Sequence, residues 1–466
     1  MNVAFCSSEV YPFAKTGGLG DVCGSLPLAL EKIGVNVAVV LPGYRCVGRA
    51  GYPIAQLEDG VTRAILGDNI HVYFIDRQEY FDREGLYGDP SGDYKDNLER
   101  FGYFCAQTLT LLKQAAFRPD IIHCHDWQTA LVPVYLEETR TADPFFERTK
   151  SVLTIHNLAF QGIFPREEYA KLKLDEQLIS TRGFEFHGRI NLLKAGIQCS
   201  DRLTTVSPTY AREIQTKQYG CGLEEVLRKR HDVTGILNGI DRAQWDPDND
   251  GHIARKYNRH DYIAAKARNK VQLQKLLSLE AREDVTLFGF VGRLTQQKGM
   301  ALILESVHEL LKMPAQFVFL GIGEERFTKE LEEVTRRYPE KFAARLEFNE
   351  PLSREIYAGS DCFLMPSEFE PCGLSQMISL RYGTVPLVYK TGGLADSVKH
   401  YGALHHDGNG FVFTHYDKKS FLDAVKKALA AYAHRETWRR LCQNAFASDF
   451  SWERSARKYL ELYQCA

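Results

Sequence analysis

At 466 residues the chain is too long for one ordinary core, which predicts two domains of roughly 200 residues each. Hydrophobic residues make up 44% and charged residues 25%, the balance of a soluble globular protein, and a formal net charge of −2 leaves no basic excess for nucleic acid. Eleven cysteines lie scattered without a Cys-x-x-Cys, Met1 leads straight into an apolar strand, and no apolar run approaches the roughly 20 residues that cross a bilayer, so a cytoplasmic protein without a membrane span is expected.

In chain order, an apolar strand from Val3 to Cys6 gives way to Lys15-Thr16-Gly17-Gly18-Leu19-Gly20-Asp21, followed by a helical run from Val22 to Ile33. Glycines at a strand-to-helix turn let the backbone approach an anion closely, and the helix end beyond presents N–H groups and a positive dipole. Short apolar strands follow at Val35 to Leu41, Ile70 to Ile75, Ile121 to His123 and Ser151 to Ile155, with helical stretches between them. That alternation predicts a parallel sheet covered by helices, hence an α/β unit. His123-Cys124-His125-Asp126-Trp127 puts two imidazoles on one face of a strand, yet no third protein ligand stands nearby. No Cys/His set is organised elsewhere, His405-His406 included, so no metal is expected. His156-Asn157, directly after a strand, places an imidazole at the carboxyl edge of the sheet.

Asn238-Gly239-Ile240-Asp241 and the stretch from Trp245 to Gly251 are polar and rich in turn formers, which places the domain boundary there. A second strand series follows at Thr286 to Val291, Phe317 to Leu320, Arg345 to Phe348, Cys362 to Met365 and Val385 to Val388. After the first of these come Arg293 and Lys298, five residues apart around a turn, where both can converge on phosphate oxygens and stabilise a departing diphosphate. Pro366-Ser367-Glu368-Phe369-Glu370-Pro371-Cys372-Gly373-Leu374 follows a later strand. Glu370 can accept hydrogen bonds from sugar hydroxyls, and the N–H groups of Cys372 and Gly373 can add contacts at an expected helix start; an ordinary acidic residue at a helix start is the competing reading. Thr391-Gly392-Gly393-Leu394-Ala395-Asp396 echoes the first glycine loop, so two loops can grip one pyrophosphate. The segment from Trp452 to Tyr463 reads as an amphipathic terminal helix.

There is no Gly-x-Ser-x-Gly elbow, no extended Gly-x-Gly-x-x-Gly dinucleotide pattern and no eight-residue phosphate loop of nucleoside triphosphatases. Hydrolase, dehydrogenase and triphosphatase readings fall away accordingly.

Eight ordered motifs spanning essentially the whole length resemble the family of bacterial glycogen synthases, ADP-glucose:glucan 4-α-glucosyltransferases, and their starch synthase relatives. They are Lys15 to Asp21, Leu86-Tyr87-Gly88-Asp89, His123 to Thr129, His156-Asn157, Gly235 to Asp241, Arg293 to Gly299, Glu370 to Gln376, and Thr391 to Asp396. The resemblance implies a GT-B fold, two Rossmann-like domains facing across a cleft, with residues 1–242 on the glucan acceptor side, 243–450 on the donor side, and 451–466 as a helix returning to the first domain. It implies retaining transfer of glucose from ADP-glucose to the non-reducing 4-hydroxyl of an α-1,4-glucan, with no metal and no cofactor.

By the same resemblance, Lys15, Thr16 and the amides of Gly17 and Gly18 contact the diphosphate together with glucan-side groups, while Arg293 and Lys298 neutralise the leaving phosphates. His156 holds the glucose 6-hydroxyl region, Asn238 and Glu370 bind other glucose hydroxyls, and the base stacks on Phe348. Cys372, Gly373, Thr391, Gly392 and Gly393 complete the donor contacts, and Asp21, Tyr94 and Asp126 orient groups or touch the acceptor. The implied mechanism passes through an oxocarbenium-like sugar, and the leaving phosphate takes the acceptor's proton. The wider retaining superfamily commonly carries a second Glu eight positions after the first; Ile378 stands there, as is general in the glycogen and starch synthase branch. A GT-B transferase with a small acceptor, or a non-catalytic glucan-binding homologue, is the alternative.

Overall fold

A computed structural model describes residues 1–58, 60–181, 183–402 and 405–466. The chain divides into two compact units, Met1–Gly239 with Trp452–Ala466, and Ile240–Ser451.

The first unit is built on a nine-stranded sheet of β1 (Asn2–Cys6), β2 (Asn36–Pro42), β3 (Ala55–Glu58), β4 (Val61–Leu66), β5 (Ile70–Ile75), β6 (Ile121–His125), β7 (Lys150–Ile155), β8 (Arg202–Thr205) and β9 (Thr234–Gly235). Their order across the sheet is β9-β8-β7-β6-β1-β2-β5-β4-β3. Val3, Ala4, Phe5 and Cys6 are fully buried, as a continuous apolar run must be when helices cover both faces. The parallel expectation needs one correction: β4 pairs antiparallel with both β3 and β5. The solvent-tolerant alternation of Val61–Leu66 at the sheet edge gave no strong apolar run to read. A second unforeseen feature is a small antiparallel sheet of Ile163–Pro165, Glu185–Phe186 and Arg189–Asn191.

The helix after β1 spans Gly18–Lys32, so the latter part of the glycine motif is its first turn and not a loop ahead of it. The helix Trp452–Gln464 belongs to this unit. Its Tyr463 hydroxyl lies 2.7 Å from His123 Nδ1, and Ser455 Oγ donates to the Leu237 carbonyl at 2.6 Å.

The second unit holds a wholly parallel six-stranded sheet of β10 (Thr286–Val291), β11 (Ala315–Leu320), β12 (Phe342–Arg345), β13 (Cys362–Met365), β14 (Val385–Tyr389) and β15 (Phe411–Phe413), ordered β12-β11-β10-β13-β14-β15. Here the expected strand Arg345 to Phe348 is corrected to Phe342–Arg345. Phe342 and Ala343 are buried and pair with Phe317 and Val318, while Phe348 lies beyond the strand, 85% exposed. Helix starts follow local chemistry: Asn349 Oδ1 caps the Leu352 N–H at 2.9 Å and Asp417 Oδ1 caps the Ser420 N–H at 2.7 Å. No helix among the described residues is long and apolar enough to cross a membrane.

Both units are doubly wound. From β1 the chain proceeds outward through β2 and β5, then returns to β6 on the other side; from β10 it proceeds through β11 and β12, then returns to β13. In such sheets ligands bind beyond the carboxyl ends of the strands where the winding reverses. Those ends are Cys6 and His125 in the first unit, Val291 and Met365 in the second.

Candidate functional site

At the first switch point, the chain leaving β1 forms a loop organised by Glu9, a residue the sequence reading did not single out. Glu9 is buried, and its carboxylate accepts the N–H groups of Thr16 (2.6 Å) and Gly17 (3.0 Å) and the hydroxyls of Thr16 (2.7 Å) and Tyr87 (2.8 Å). The Gly17 amide, expected to face a phosphate, donates to Glu9 in this structure. Gly17 and Gly18 have nothing within 4 Å of where a Cβ would stand, so packing does not demand glycine at either position. Lys15 Nζ donates to Asp21 Oδ1 at 2.6 Å and remains substantially exposed. Tyr94 sits apart from this loop: its ring lies under the Arg83 and Arg100 guanidinium groups, and its hydroxyl accepts the Gly85 N–H at 3.3 Å.

Beyond β6, Asp126 adopts a left-handed backbone conformation with φ 58° and accepts the His156 N–H through Oδ1 at 2.6 Å. Burial pushes its carboxyl up to about 7, against the pull of the His156 and Asn157 amides, and nearby Glu9 adds to the rise. His156 Nε2 meets His125 Nδ1 at 3.0 Å, and burial pushes its imidazole down to about 3. His123 and His125 are likewise held well below the ordinary imidazole value by burial. All three rings are thus neutral at pH 7, able to hydrogen-bond but not to carry charge. Among the described residues no group of three or more His, Cys, Asp or Glu is placed to hold a metal ion. Asn238 is buried, and its Oδ1 has no hydrogen-bond partner among the described residues.

The second switch point brings together residues far apart in sequence. Lys298 Nζ meets Glu370 Oε2 at 2.6 Å, with the lysine side chain 20% exposed and the glutamate 7%, and Ser367 Oγ donates to the same oxygen at 3.0 Å. Gln297 ties the two loops together, its carbonyl accepting the Glu368 N–H and its Nε2 donating to the Phe369 carbonyl. Arg293 is exposed, with Nη2 donating to Gln297 Oε1 at 3.4 Å.

Two expectations change here. The helix after Glu370 is Ser375–Arg381, so Cys372 and Gly373 lie in the bend before it and not in its first turn. The second glycine loop is packed, not open. A Cβ on Gly392 would stand 1.9 Å from the Glu370 carbonyl oxygen, and one on Gly393 would stand 2.1 Å from that of Cys372. The Gly393 N–H donates to the carbonyls of Glu370 (3.0 Å) and Pro371 (3.2 Å), and Thr391 beside it is fully buried.

Residues 2–229 match the family described as starch synthase catalytic domain, and residues 275–445 match glycosyl transferases group 1. The chain superposes on the catalytic domain of starch synthase IV from Arabidopsis thaliana, solved bound to ADP and acarbose. The TM-score is 0.89 and the identity 36%, covering 100% of this chain and 98% of that one. Sucrose-phosphate synthase from Thermosynechococcus elongatus shares the fold alone, at TM-score 0.63 and 17% identity over 100% of this chain and 98% of that one. Two doubly wound units, each with cationic side chains at its switch point, and these likenesses define a GT-B glycosyltransferase. Glycogen synthase 2 of Geobacter sulfurreducens is 45% identical over 480 residues, covering 100% of the chain and 99% of the relative. Glycogen synthase of Thermotoga petrophila is 43% identical over 486 residues with the same coverage. The chain belongs to the bacterial glycogen synthase family, whose work is glucosyl transfer in glycogen synthesis.

Proposed function

We propose that the chain transfers glucose, with retention of configuration, from ADP-glucose to the non-reducing 4-hydroxyl of an α-1,4-glucan. The observation that carries this reading is the Lys298–Glu370 pair, a cation and a carboxylate held 2.6 Å apart at the second unit's switch point. Lys298, with Arg293, stabilises negative charge gathering on the departing diphosphate, and Glu370 accepts hydrogen bonds from glucose hydroxyls. The plant neighbour's bound ADP favours adenine as the donor base, and the exposed ring of Phe348 offers it an apolar face. Thr391, Gly392 and Gly393 hold the Glu370–Cys372–Gly373 backbone in register.

Lys15 and the Gly18 amide supply further donors to the diphosphate, with Thr16 and Gly17 shaping their loop and Asp21 orienting Lys15. Neutral His156, with Nε2 on His125, turns its other ring edge to the glucose 6-hydroxyl; a neutral ring suits a hydroxyl better than a phosphate. The unpartnered Asn238 Oδ1 awaits another hydroxyl of the sugar. Asp126 orients the His156 backbone, and Tyr94 serves the acceptor side. No carboxylate nucleophile is required: the C1–O bond to diphosphate breaks, the glucan 4-hydroxyl attacks from the same face, and the leaving phosphate takes its proton. Positioning and charge stabilisation supply the rate. The free cysteines fit a reducing cytoplasm as the compartment.

The test incubates the protein with ADP-glucose or UDP-glucose, with and without glycogen, and follows nucleoside diphosphate release and polymer growth. Glycogen-dependent release that is faster from ADP-glucose is the expected result. Release that requires a small sugar instead of glycogen moves the reading to a small-acceptor transferase, and silence with both donors removes it.

A further inference from the structure

We infer that Glu9 is a positioning residue for transfer, a buried anionic anchor that fixes the Lys15–Gly18 loop in its donor-binding shape before substrate arrives. The inference rests on the diphosphate role given above to Lys15 and Gly18. Glu9 is 4% exposed, and a carboxylate that far from water is tolerated only when its accepting capacity is filled. Here it is filled: Oε2 takes the Thr16 and Gly17 amides, and Oε1 takes the Thr16 and Tyr87 hydroxyls. Three of those four donors come from the loop itself.

Apart from the exposed Lys15–Asp21 pair and the start of the Gly18 helix, Glu9 supplies the loop's side-chain hydrogen bonds. Gly17 and Gly18 have no neighbour within reach of a Cβ, and consecutive glycines carry the largest backbone freedom of any residues. An unanchored loop would have to be ordered at the moment of binding, at the expense of both affinity and alignment; an anchored one presents Lys15 already aimed. By taking the Gly17 N–H, Glu9 also decides which groups remain to meet a phosphate, namely the Gly18 amide and the Lys15 ammonium.

Tyr87 extends the anchor. Its hydroxyl donates to Glu9 and lies 2.8 Å from Ser8 Oγ, while its carbonyl accepts the Asn97 side-chain amide and the Tyr94 N–H, both at 2.9 Å. The Leu86–Asp89 motif thus acts through Glu9 on a loop some seventy residues earlier in sequence.

The experiment is steady-state kinetics of the full chain carrying Glu9→Gln, which keeps the side chain's shape but removes the charge and puts an NH2 group in place of one of the two accepting oxygens. With ADP-glucose and glycogen, assayed well below the variant's thermal midpoint, kcat should fall about 10- to 100-fold while the KM for glycogen matches the wild type. Tyr87→Phe, which removes one of the four donors, should lower kcat by a smaller factor. A Glu9→Gln protein with wild-type kcat and wild-type KM for ADP-glucose overturns the inference. If Glu9→Gln does not fold, Tyr87→Phe and Thr16→Val decide, and wild-type kcat in both overturns it equally. A wild-type chain that releases no nucleoside diphosphate from either donor overturns the functional reading and this inference with it, whereas an active wild type matched by Glu9→Gln overturns the inference alone.

Discussion

The two glycine loops, Lys15–Asp21 in the first unit and Thr391–Asp396 in the second, share nearly the same letters and have opposite surroundings. Around Gly17 and Gly18 the space is empty; around Gly392 and Gly393 a methyl group would strike the backbone of Glu370 and Cys372. No packing contact requires glycine at Gly17 or Gly18. The second loop is glycine-rich because two backbones already touch, and what that contact fixes is the carboxylate paired with Lys298. Nearly identical motifs therefore carry different physical meanings, and their neighbours distinguish them.

The contrast breaks most severely at Lys298. If the second loop exists to hold Glu370 beside a working cation, Lys298→Ala should lower kcat by about 10²- to 10³-fold, measured as glycogen-dependent diphosphate release; wild-type turnover would remove the purpose assigned to the packing. Next in size, Gly393→Ala should destabilise the chain by about 1–3 kcal/mol through overpacking, seen as a lower urea midpoint, and should lower kcat as Glu370 shifts. Gly18→Ala should do the reverse, leaving the urea midpoint unchanged while kcat/KM for ADP-glucose drops about 10-fold, because the added methyl occupies the approach of a ligand and not of the protein. A fall in stability there would erase the distinction between the loops.

A further effect is one of pH. Asp126, beside the first loop's anchor, titrates at about 7 when folded, well above the ordinary carboxylate value it has when unfolded. Its folded pKa is raised, so its contribution is complete below the unfolded value and declines as pH rises toward 7. The thermal midpoint of Asp126→Asn, relative to wild type, should consequently climb between pH 4 and pH 7. A constant difference across that window would show that Asp126 is not buried in the way described.

Much of this was legible in advance. Strand followed by glycines followed by helix places Lys15 and Gly18 at a sheet edge, because short-range geometry is written in adjacent residues. The Lys298–Glu370 partnership was not, since the two are 72 residues apart and meet only because β10 and β13 are neighbours across a winding reversal. Glu9 looked like any acidic loop residue: its importance is that four donors surround it, and three-dimensional crowding of donors leaves no trace in spacing. Phe348 was expected on a strand that in fact ends at Arg345, since the apolar pair Phe342–Ala343 competes better for the sheet interior. The antiparallel strands Ala55–Glu58 and Val61–Leu66 escaped because strands at a sheet's edge need not be apolar.

The hydrogen bond between Tyr463 and His123 has a consequence for biosynthesis. The first unit consists of residues 1–239 and 452–466, so the ribosome makes the whole second unit before it delivers the helix that completes the first. Until residue 463 emerges, the face of the Gly18–Lys32 helix that later meets Trp452–Gln464 has no cover, and His123 has no hydroxyl on Nδ1. A nascent chain of this enzyme therefore carries an unfinished amino-terminal half through the synthesis of more than two hundred further residues, the interval in which chaperone capture is most useful to it.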